Sequence, residues 1–173
     1  MMNHALPLGY RIVRGSVHDR DRLLLWLDRA YRELRTTGYR PTAVAQLVDR
    51  YLSADTPLFW LESIDPAGRA ECLGGLWLAW ASDAQAVGGQ GQILWLYVTP
   101  DQRRRGLGRS LIQRAEAEVL RQGRSRLGLS VFADNAGAIA FYQRLGYGTD
   151  ALSLSKSIEP GAIEPGAIDS GPR

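Results

Sequence analysis

The stretch at residues 93–111 constrains the fold of this chain more than any other. An apolar run rich in β-branched and aromatic residues ends at Pro100, and an arginine-rich turn with a Gly-x-Gly then leads into a helical pattern. A buried strand therefore precedes a helix N-terminus, where the first backbone N–H groups have no partner within the helix. Because such groups, the helix dipole and nearby arginines all attract anions, the stretch predicts a site for a phosphorylated cofactor.

Hydrophobic periodicity predicts an order of strands and helices that builds a mixed α/β sheet. The predicted strands are 9–15, 58–64, 70–81, 92–98, 126–132 and 151–158, and the predicted helices are 21–35, 41–52, 107–122 and 136–145. Residues 65–68 have turn chemistry and join two strands in a hairpin, and Gly74 with Gly75 predicts a bulge or a close backbone approach. The unit at 92–132 is expected to be a parallel crossover, in a sheet with helices on both faces.

Length and composition favour one globular domain with a short tail. The 173 residues are 45% apolar and 23% charged, which is ordinary for a globular protein. We expect residues 1–158 to form that single domain. Beyond it, residues 159–173 repeat the pattern Glu-Pro-Gly-Ala-Ile, and Pro-Gly pairs at this spacing predict a flexible tail.

Several classes of site and partner are disfavoured by what the chain lacks. Cys72 is the only cysteine and His4 and His18 are the only histidines, so we expect neither a disulfide nor a metal site. No apolar run is long enough for a signal peptide or a membrane span, which predicts a cytoplasmic protein without a membrane partner. The net charge is +3, but no basic tract is interleaved with aromatic residues, so no nucleic-acid partner is predicted. A homodimer is compatible with the sequence.

Two common nucleotide-binding loops are excluded by the residues of the turn. A Walker loop ends in Gly-Lys-Ser/Thr, which is absent around Gly106. The dinucleotide fingerprint requires a third glycine at G-x-G-x-x-G spacing, and Leu111 occupies that position. The expected phosphate therefore belongs to another kind of cofactor.

Two motifs, in this order, resemble those of the GNAT superfamily of N-acetyltransferases. Residues 98–111, VTPDQRRRGLGRSL, are similar to its acyl-CoA-binding motif, Q/R-x-x-G-x-G/A. Residues 135–147, NAGAIAFYQRLGY, resemble the N-x-x-A-x-x-F-Y-x-x-x-G-F/Y helix that follows in that family. The resemblance covers residues 8–158 and implies a mixed central sheet, with antiparallel N-terminal strands, a splayed parallel pair in the middle and helices on both faces.

The resemblance implies acetyl-CoA as the cofactor and assigns the residues that contact it. The turn would hold the pyrophosphate through backbone N–H groups, and the strand ending at Val98 would bulge away from residues 127–131, so that the pantetheine arm pairs with Leu96 and Val98. A backbone N–H at Leu96 or Tyr97 would polarise the thioester carbonyl. The full predicted set is Leu96, Tyr97, Val98, Arg103, Arg104, Arg105, Gly106, Leu107, Gly108, Arg109, Ser110, Asn135 and Tyr142.

The general acid is predicted by the resemblance, whereas the general base is left open. The hydroxyl of Tyr142 would protonate the departing thiolate. At the two positions where the family often carries a base glutamate, this chain has Trp95 and Ser130. The other candidates on neighbouring segments are Glu62, Glu71, Asp83 and, through a water molecule, Tyr97.

The predicted function is acetyl-CoA-dependent N-acetylation of a primary amine, on a small molecule or a peptide N-terminus. Transfer would be direct, because no cysteine lies in the motifs to carry an acyl-enzyme. Trp80, Trp95 and Tyr97 are candidates for the wall of the acceptor pocket. The alternative is a non-catalytic acyl-CoA-binding or regulatory module on the same fold, which the missing base glutamates favour and Tyr142 disfavours.

Overall fold

The computed structural model describes residues 6–34, 40–80, 89–154 and 156. Its strands are β1 (Tyr10–Arg14), β2 (Leu58–Ile64), β3 (Ala70–Trp80), β4 (Gln90–Val98) and β5 (Arg126–Leu129). Its helices are α1 (Arg20–Glu33), α2 (Pro41–Tyr51), α3 (Leu107–Arg121) and α4 (Ala136–Arg144). Residues up to Asp134 and those from Asn135 onward form two compact units. Within the described ranges, no helix has the length and apolar character needed to cross a membrane.

The first unit is built on a mixed sheet whose strand order follows the chain, β1-β2-β3-β4-β5. Strands β1 to β4 pair antiparallel, whereas β4 pairs with β5 in parallel, and α3 is the crossover helix between them. The predicted mixed sheet and its parallel unit are therefore confirmed. The parallel pair, which was expected in the middle, lies at the end of the described sheet.

The predicted strand at 151–158 is wrong over the residues that can be compared. Residues 151–154 and 156 have no regular secondary structure, and Leu152 and Leu154 are 76% and 85% exposed. Residues 155, 157 and 158, together with the predicted tail, lie outside the described residues. Alternating apolar residues form a strand only when a neighbouring strand satisfies the backbone groups and covers the apolar face. The local pattern alone therefore predicted one strand too many.

Helices α1 and α2 pack on one face of the sheet through an apolar cluster. Its buried members are Leu23, Leu27, Ala30, Val44, Val48, Leu58, Trp60, Trp77, Trp95 and Tyr97. The helical members recur at spacings of three and four residues, as a buried stripe requires. Each fully buried leucine in the cluster contributes about 1.5–3 kcal/mol of hydrophobic free energy.

Helix α3 covers the opposite face. Side chains alternate along β2, so Phe59 points away from Leu58 and Trp60. The ring of Phe59 has its centroid 5.1 Å from the guanidinium carbon of Arg114, which belongs to α3. Helices therefore lie on both faces of the sheet, as predicted.

Gly74 and Gly75 bring β3 very close to its neighbouring strands, as the sequence predicts. The backbone of Gly74 has a φ of +143°, and a Cβ there would lie 2.0 Å from the carbonyl oxygen of Tyr97. A Cβ at Gly75 would lie 2.2 Å from the carbonyl oxygen of Phe59. Only glycine fits such an approach. Gly74 therefore fixes the position of β4 against β3, and Gly75 fixes that of β2.

Candidate active site

One edge of β4 is open along half of the strand. Strand β5 pairs only with residues 90–93 of β4, so residues 94–98 have no strand on that side within the described part of the chain. On the other side Trp77 faces Trp95 and Leu78 faces Ile93, which makes Leu94 an extra, bulged residue in β4. Pairing between the two parallel strands therefore stops midway along β4, in the part of the strand where a splay was predicted. Strand β5 is also shorter than predicted, because it ends at Leu129 and not at residue 132.

The backbone groups of Leu96 and Val98 face this open edge. The N–H of Thr99 donates to the carbonyl of Leu73 on β3 at 2.9 Å. Backbone groups alternate in direction along a strand, so Tyr97 and Thr99 face β3 whereas Leu96 and Val98 face away from it. An extended ligand can add to such an edge as a further strand. The backbone groups of Leu96 and Val98 thus face the open edge, where the carbonyl of Val98 accepts a hydrogen bond from Arg103 at 2.8 Å.

The turn before α3 presents a row of free backbone donors. Arg104 and Gly106 have left-handed φ values of +65° and +82°, which curl the chain tightly just before Leu107 opens the helix. Backbone N–H groups of residues 104–109 have no acceptor within the described ranges, whereas the N–H of Ser110 donates to the carbonyl of Gly106 at 3.1 Å. Successive free N–H groups at a helix N-terminus form a concave anion site. The turn therefore has the geometry of a phosphate cradle.

The arginines of the turn divide into two sets. The Nε of Arg103 donates to the carbonyl of Val98 at 2.8 Å, and its guanidinium forms an ion pair with Glu33. Arg105 donates to the hydroxyl of Tyr10 at 3.1 Å. Arg104 and Arg109 are exposed and have no acidic partner in the described part of the chain. Arg103 therefore ties the turn to β4 and α1, and Arg104 and Arg109 are the side chains best placed to approach a bound anion from solvent.

A polar cluster surrounds Tyr97 on the face of β4 that meets α1. Its hydroxyl donates to Glu33 at 2.7 Å, and its ring centroid lies 5.7 Å from that of Trp26. The guanidinium carbons of Arg29 and Arg103 lie 5.9 Å and 5.4 Å from the same ring. Burial, and secondarily the hydrogen bond to Glu33, raises the pKa of the Tyr97 hydroxyl above its usual value. The phenol therefore stays protonated at neutral pH.

Sequence reasoning missed Glu33. It lies in the last turn of α1, three residues after Ala30, the last residue of the buried stripe. A helical projection places a residue at that spacing beside the stripe, so a glutamate there is a carboxylate at the border of the core. No local pattern connects it with Tyr97, which is 64 residues away.

The other acidic candidates for the base are placed differently. Glu62 is buried and bound by Arg11 at 2.9 Å and by Arg22 at 3.3 Å, which makes it a structural residue. Glu71 is exposed on β3, and Asp83 lies outside the described residues. No group of three or more His, Cys, Asp or Glu side chains stands close enough to hold a metal ion in the ranges that the structure describes.

The non-acidic residues of the predicted site also have defined surroundings. Trp95 is buried in the apolar cluster, and Ser130 is exposed just after β5. The indole N–H of Trp80 donates to the carbonyl of Asp55 at 2.7 Å. Of the three aromatic residues predicted to line an acceptor pocket, Tyr97 is thus the one with a polar cluster around it.

The second unit carries the remaining two predicted residues. The side chain of Asn135 accepts a hydrogen bond from the N–H of Ala138 at 3.1 Å, so it caps α4. The ring of Tyr142 has its centroid 5.1 Å from that of Phe141 and 5.8 Å from that of Tyr147. Burial raises the pKa of Tyr142 to about 12. Its hydroxyl therefore carries a proton at every pH near neutrality and can act as a donor.

Comparison with known proteins identifies a family for this chain. The model of a family described as the acetyltransferase (GNAT) family matches residues 20–147. An acetyltransferase of Yersinia enterocolitica is 30% identical over 112 residues, which are 64% of this chain and 72% of that protein.

Two solved structures share the fold. A GCN5-related N-acetyltransferase from Ralstonia eutropha superposes with a TM-score of 0.63 at 22% identity, over 87% of this chain and 99% of that one. An aminoglycoside acetyltransferase from an uncultured soil metagenomic sample, in complex with trehalose, superposes with a TM-score of 0.66 at 13% identity, over 87% and 97% of the two chains.

Proposed function

Because the chain belongs to the acetyltransferase (GNAT) family and is an acyltransferase, we propose a specific reaction for it. The protein transfers an acetyl group directly from acetyl-CoA to a primary amine. The amine is on a small molecule or a peptide N-terminus. The observation that carries the proposal is the open edge of β4 directly before a turn of free backbone N–H groups. The proposed location, in the cytoplasm, stays a prediction from the sequence.

The described residues fit acetyl-CoA. Its pyrophosphate would lie in the turn, against the free N–H groups of residues 104–109, with Arg104 and Arg109 adding positive charge. Its pantetheine arm would pair with Leu96 and Val98 as an added strand. When bound, the cofactor supplies an acetyl thioester. The N–H of Leu96, which faces the open edge, is the donor we assign to the thioester carbonyl.

Direct transfer is supported by the surroundings of the single cysteine. Cys72 lies on β3, and its thiol contacts the carbonyl of Gly74 at 3.6 Å. One strand, β4, lies between β3 and β5, and the open edge belongs to β4, not to the strand of Cys72. On the motif, we assign Tyr142 as the acid that gives a proton to the departing sulfur. Its pKa of about 12 keeps that proton in place at neutral pH.

Gly106→Val tests the cofactor site, and Gly68→Val is its matched control. Both glycines are left-handed, with φ of +82° and +79°, so both variants lose stability for the same backbone reason. Only Gly106 borders the proposed phosphate cradle. We expect the folded Gly106 variant to bind acetyl-CoA at least about tenfold more weakly in titration calorimetry, a loss of about 1.4 kcal/mol, while the Gly68 variant binds normally. Normal binding by both variants would contradict the assignment.

The second candidate function is a binding module without catalysis. It is favoured by Trp95 and Ser130, which occupy the positions where the family often carries its base. Thiol release from acetyl-CoA over a panel of amines separates the two functions. Tight cofactor binding without turnover on any amine would favour the module, whereas turnover establishes the enzyme.

A further inference from the structure

The carboxylate of Glu33 is held in place by two different elements. One oxygen, Oε2, accepts the hydrogen bond of the Tyr97 hydroxyl at 2.7 Å. The other, Oε1, forms the ion pair with Arg103, and Arg103 in turn donates to the carbonyl of Val98. The side chain of Glu33 is still 33% exposed. The carboxylate is thus oriented by the strand and turn of the proposed cofactor site while solvent reaches it.

Tyr97 directly follows Leu96, the residue assigned to the thioester carbonyl. Leu96, its neighbour in the chain, directs its backbone groups to the open edge of β4, whereas the side chain of Tyr97 lies in the cluster under α1. Within the described ranges, Glu33 is the carboxylate hydrogen-bonded to a side chain of β4. Glu62, the other acidic residue near the α1 face of the sheet, forms ion pairs with Arg11 and Arg22.

We propose that Tyr97 receives the amino group of the acceptor, and that Glu33 is the positioning residue that takes the amine's proton through the Tyr97 hydroxyl. This inference rests on the proposed N-acetylation. One N–H bond of the ammonium breaks as its proton moves to Tyr97 Oη, and the hydroxyl proton moves at the same time to Glu33 Oε2. The amine keeps the electron pair, Tyr97 is unchanged, and Glu33 becomes a carboxylic acid that later releases its proton to water.

The raised pKa of Tyr97 supports a relay over direct base catalysis. Burial and the bond to Glu33 keep the phenol protonated at neutral pH, so the hydroxyl can pass a proton on but does not begin as a phenolate. The charged side chains that face this pair in the described structure are Arg29 on α1 and Arg103 in the turn. The relay therefore carries the proton from the amine to Glu33 beside these two guanidinium groups.

Glu33→Gln tests the relay because glutamine keeps the shape but cannot accept the proton. At neutral pH we expect kcat/KM for the amine to fall about 10- to 100-fold. The deficit should shrink as the pH rises toward the pKa of the amine, about 10.4 for a lysine-like acceptor, because the amine is then already neutral. Tyr97→Phe should show the same pH-dependent deficit, and the double variant should be no slower than either single one.

Asp28→Asn is the matched control. It also removes a carboxylate from α1, one that is paired with Arg32 at 2.6 Å, and it should keep wild-type kinetics. Thermal unfolding of each variant checks that it is folded. A Glu33→Gln deficit that is equal at every pH, or no deficit, would overturn the relay while leaving the acetyltransferase proposal intact. Absence of transfer by the wild-type protein to any amine would overturn both.

Discussion

Replacing Gly74 with alanine tests how the sheet positions β4. The alanine Cβ would lie 2.0 Å from the carbonyl oxygen of Tyr97 and 2.8 Å from its carbonyl carbon. Both atoms belong to the backbone of β4, so no side chain can move aside to make room. The two strands would have to separate locally, at the point where Gly74 pairs with Val98.

The expected loss of stability has two parts. The φ of +143° belongs to a region that is open almost only to glycine, and an alanine there costs about 1–3 kcal/mol. Forcing apart two closely packed strands costs a further 1–3 kcal/mol or so. We therefore expect Gly74→Ala to lower the free energy of unfolding by about 4 kcal/mol. That is a large part of the roughly 5–15 kcal/mol that stabilises a typical domain.

Gly68→Ala measures the backbone cost of an alanine at positive φ by itself. Its φ is +79°, and no atom lies within 4 Å of the position of an added Cβ, so only the backbone cost of about 1–2 kcal/mol applies. Urea denaturation followed by tryptophan fluorescence measures both variants, and an unchanged slope shows that the unfolding reaction is the same. If Gly74→Ala loses no more stability than Gly68→Ala, the close approach of β3 and β4 does not constrain the sheet as described.

The second unit allows two further predictions. The pKa of Tyr142 is about 12 in the folded state, above its ordinary value of 10.0. Between pH 10 and pH 12 the tyrosine is therefore ionised in the unfolded state but still protonated in the folded state. The free energy of unfolding consequently falls as the pH rises through this range. The part of this fall that comes from Tyr142 is at most about 2.7 kcal/mol, or about 1.4 per pH unit. Tyr142→Phe should remove that part when urea midpoints are compared at about pH 9 and pH 11, and leave the part that comes from Tyr97, whose pKa is also raised. Asn135→Ala removes the cap of α4 and should cost about 1 kcal/mol in the same assay, whereas Asn135→Asp keeps an acceptor and should cost less.

Local sequence signals predicted most elements of the fold. The bounds of β2 were predicted to the residue, and α3 begins at Leu107 as the glycine turn indicates. These features depend on periodicity, turn residues and helix capping, which act over a few neighbouring residues. The acyltransferase family was also predicted, because each of its two motifs is a single continuous segment of the sequence.

Pairing between distant segments was predicted less well. The strand expected at 151–158 is not formed over its described residues, and β5 stops at Leu129. The length of a strand depends on the partner that satisfies its backbone, and neither segment carries that information itself.

The sequence by itself determined where the turn before α3 lies, since glycines, a proline and a helix start suffice to build it. The tertiary structure decided the directions of the side chains around it. Arg103 turns inward to Val98 and Glu33, and Glu33 meets Tyr97 across 64 residues of chain. Only folding brings the last turn of α1 against β4, because the buried stripe of α1 must cover the sheet and carries Glu33 with it.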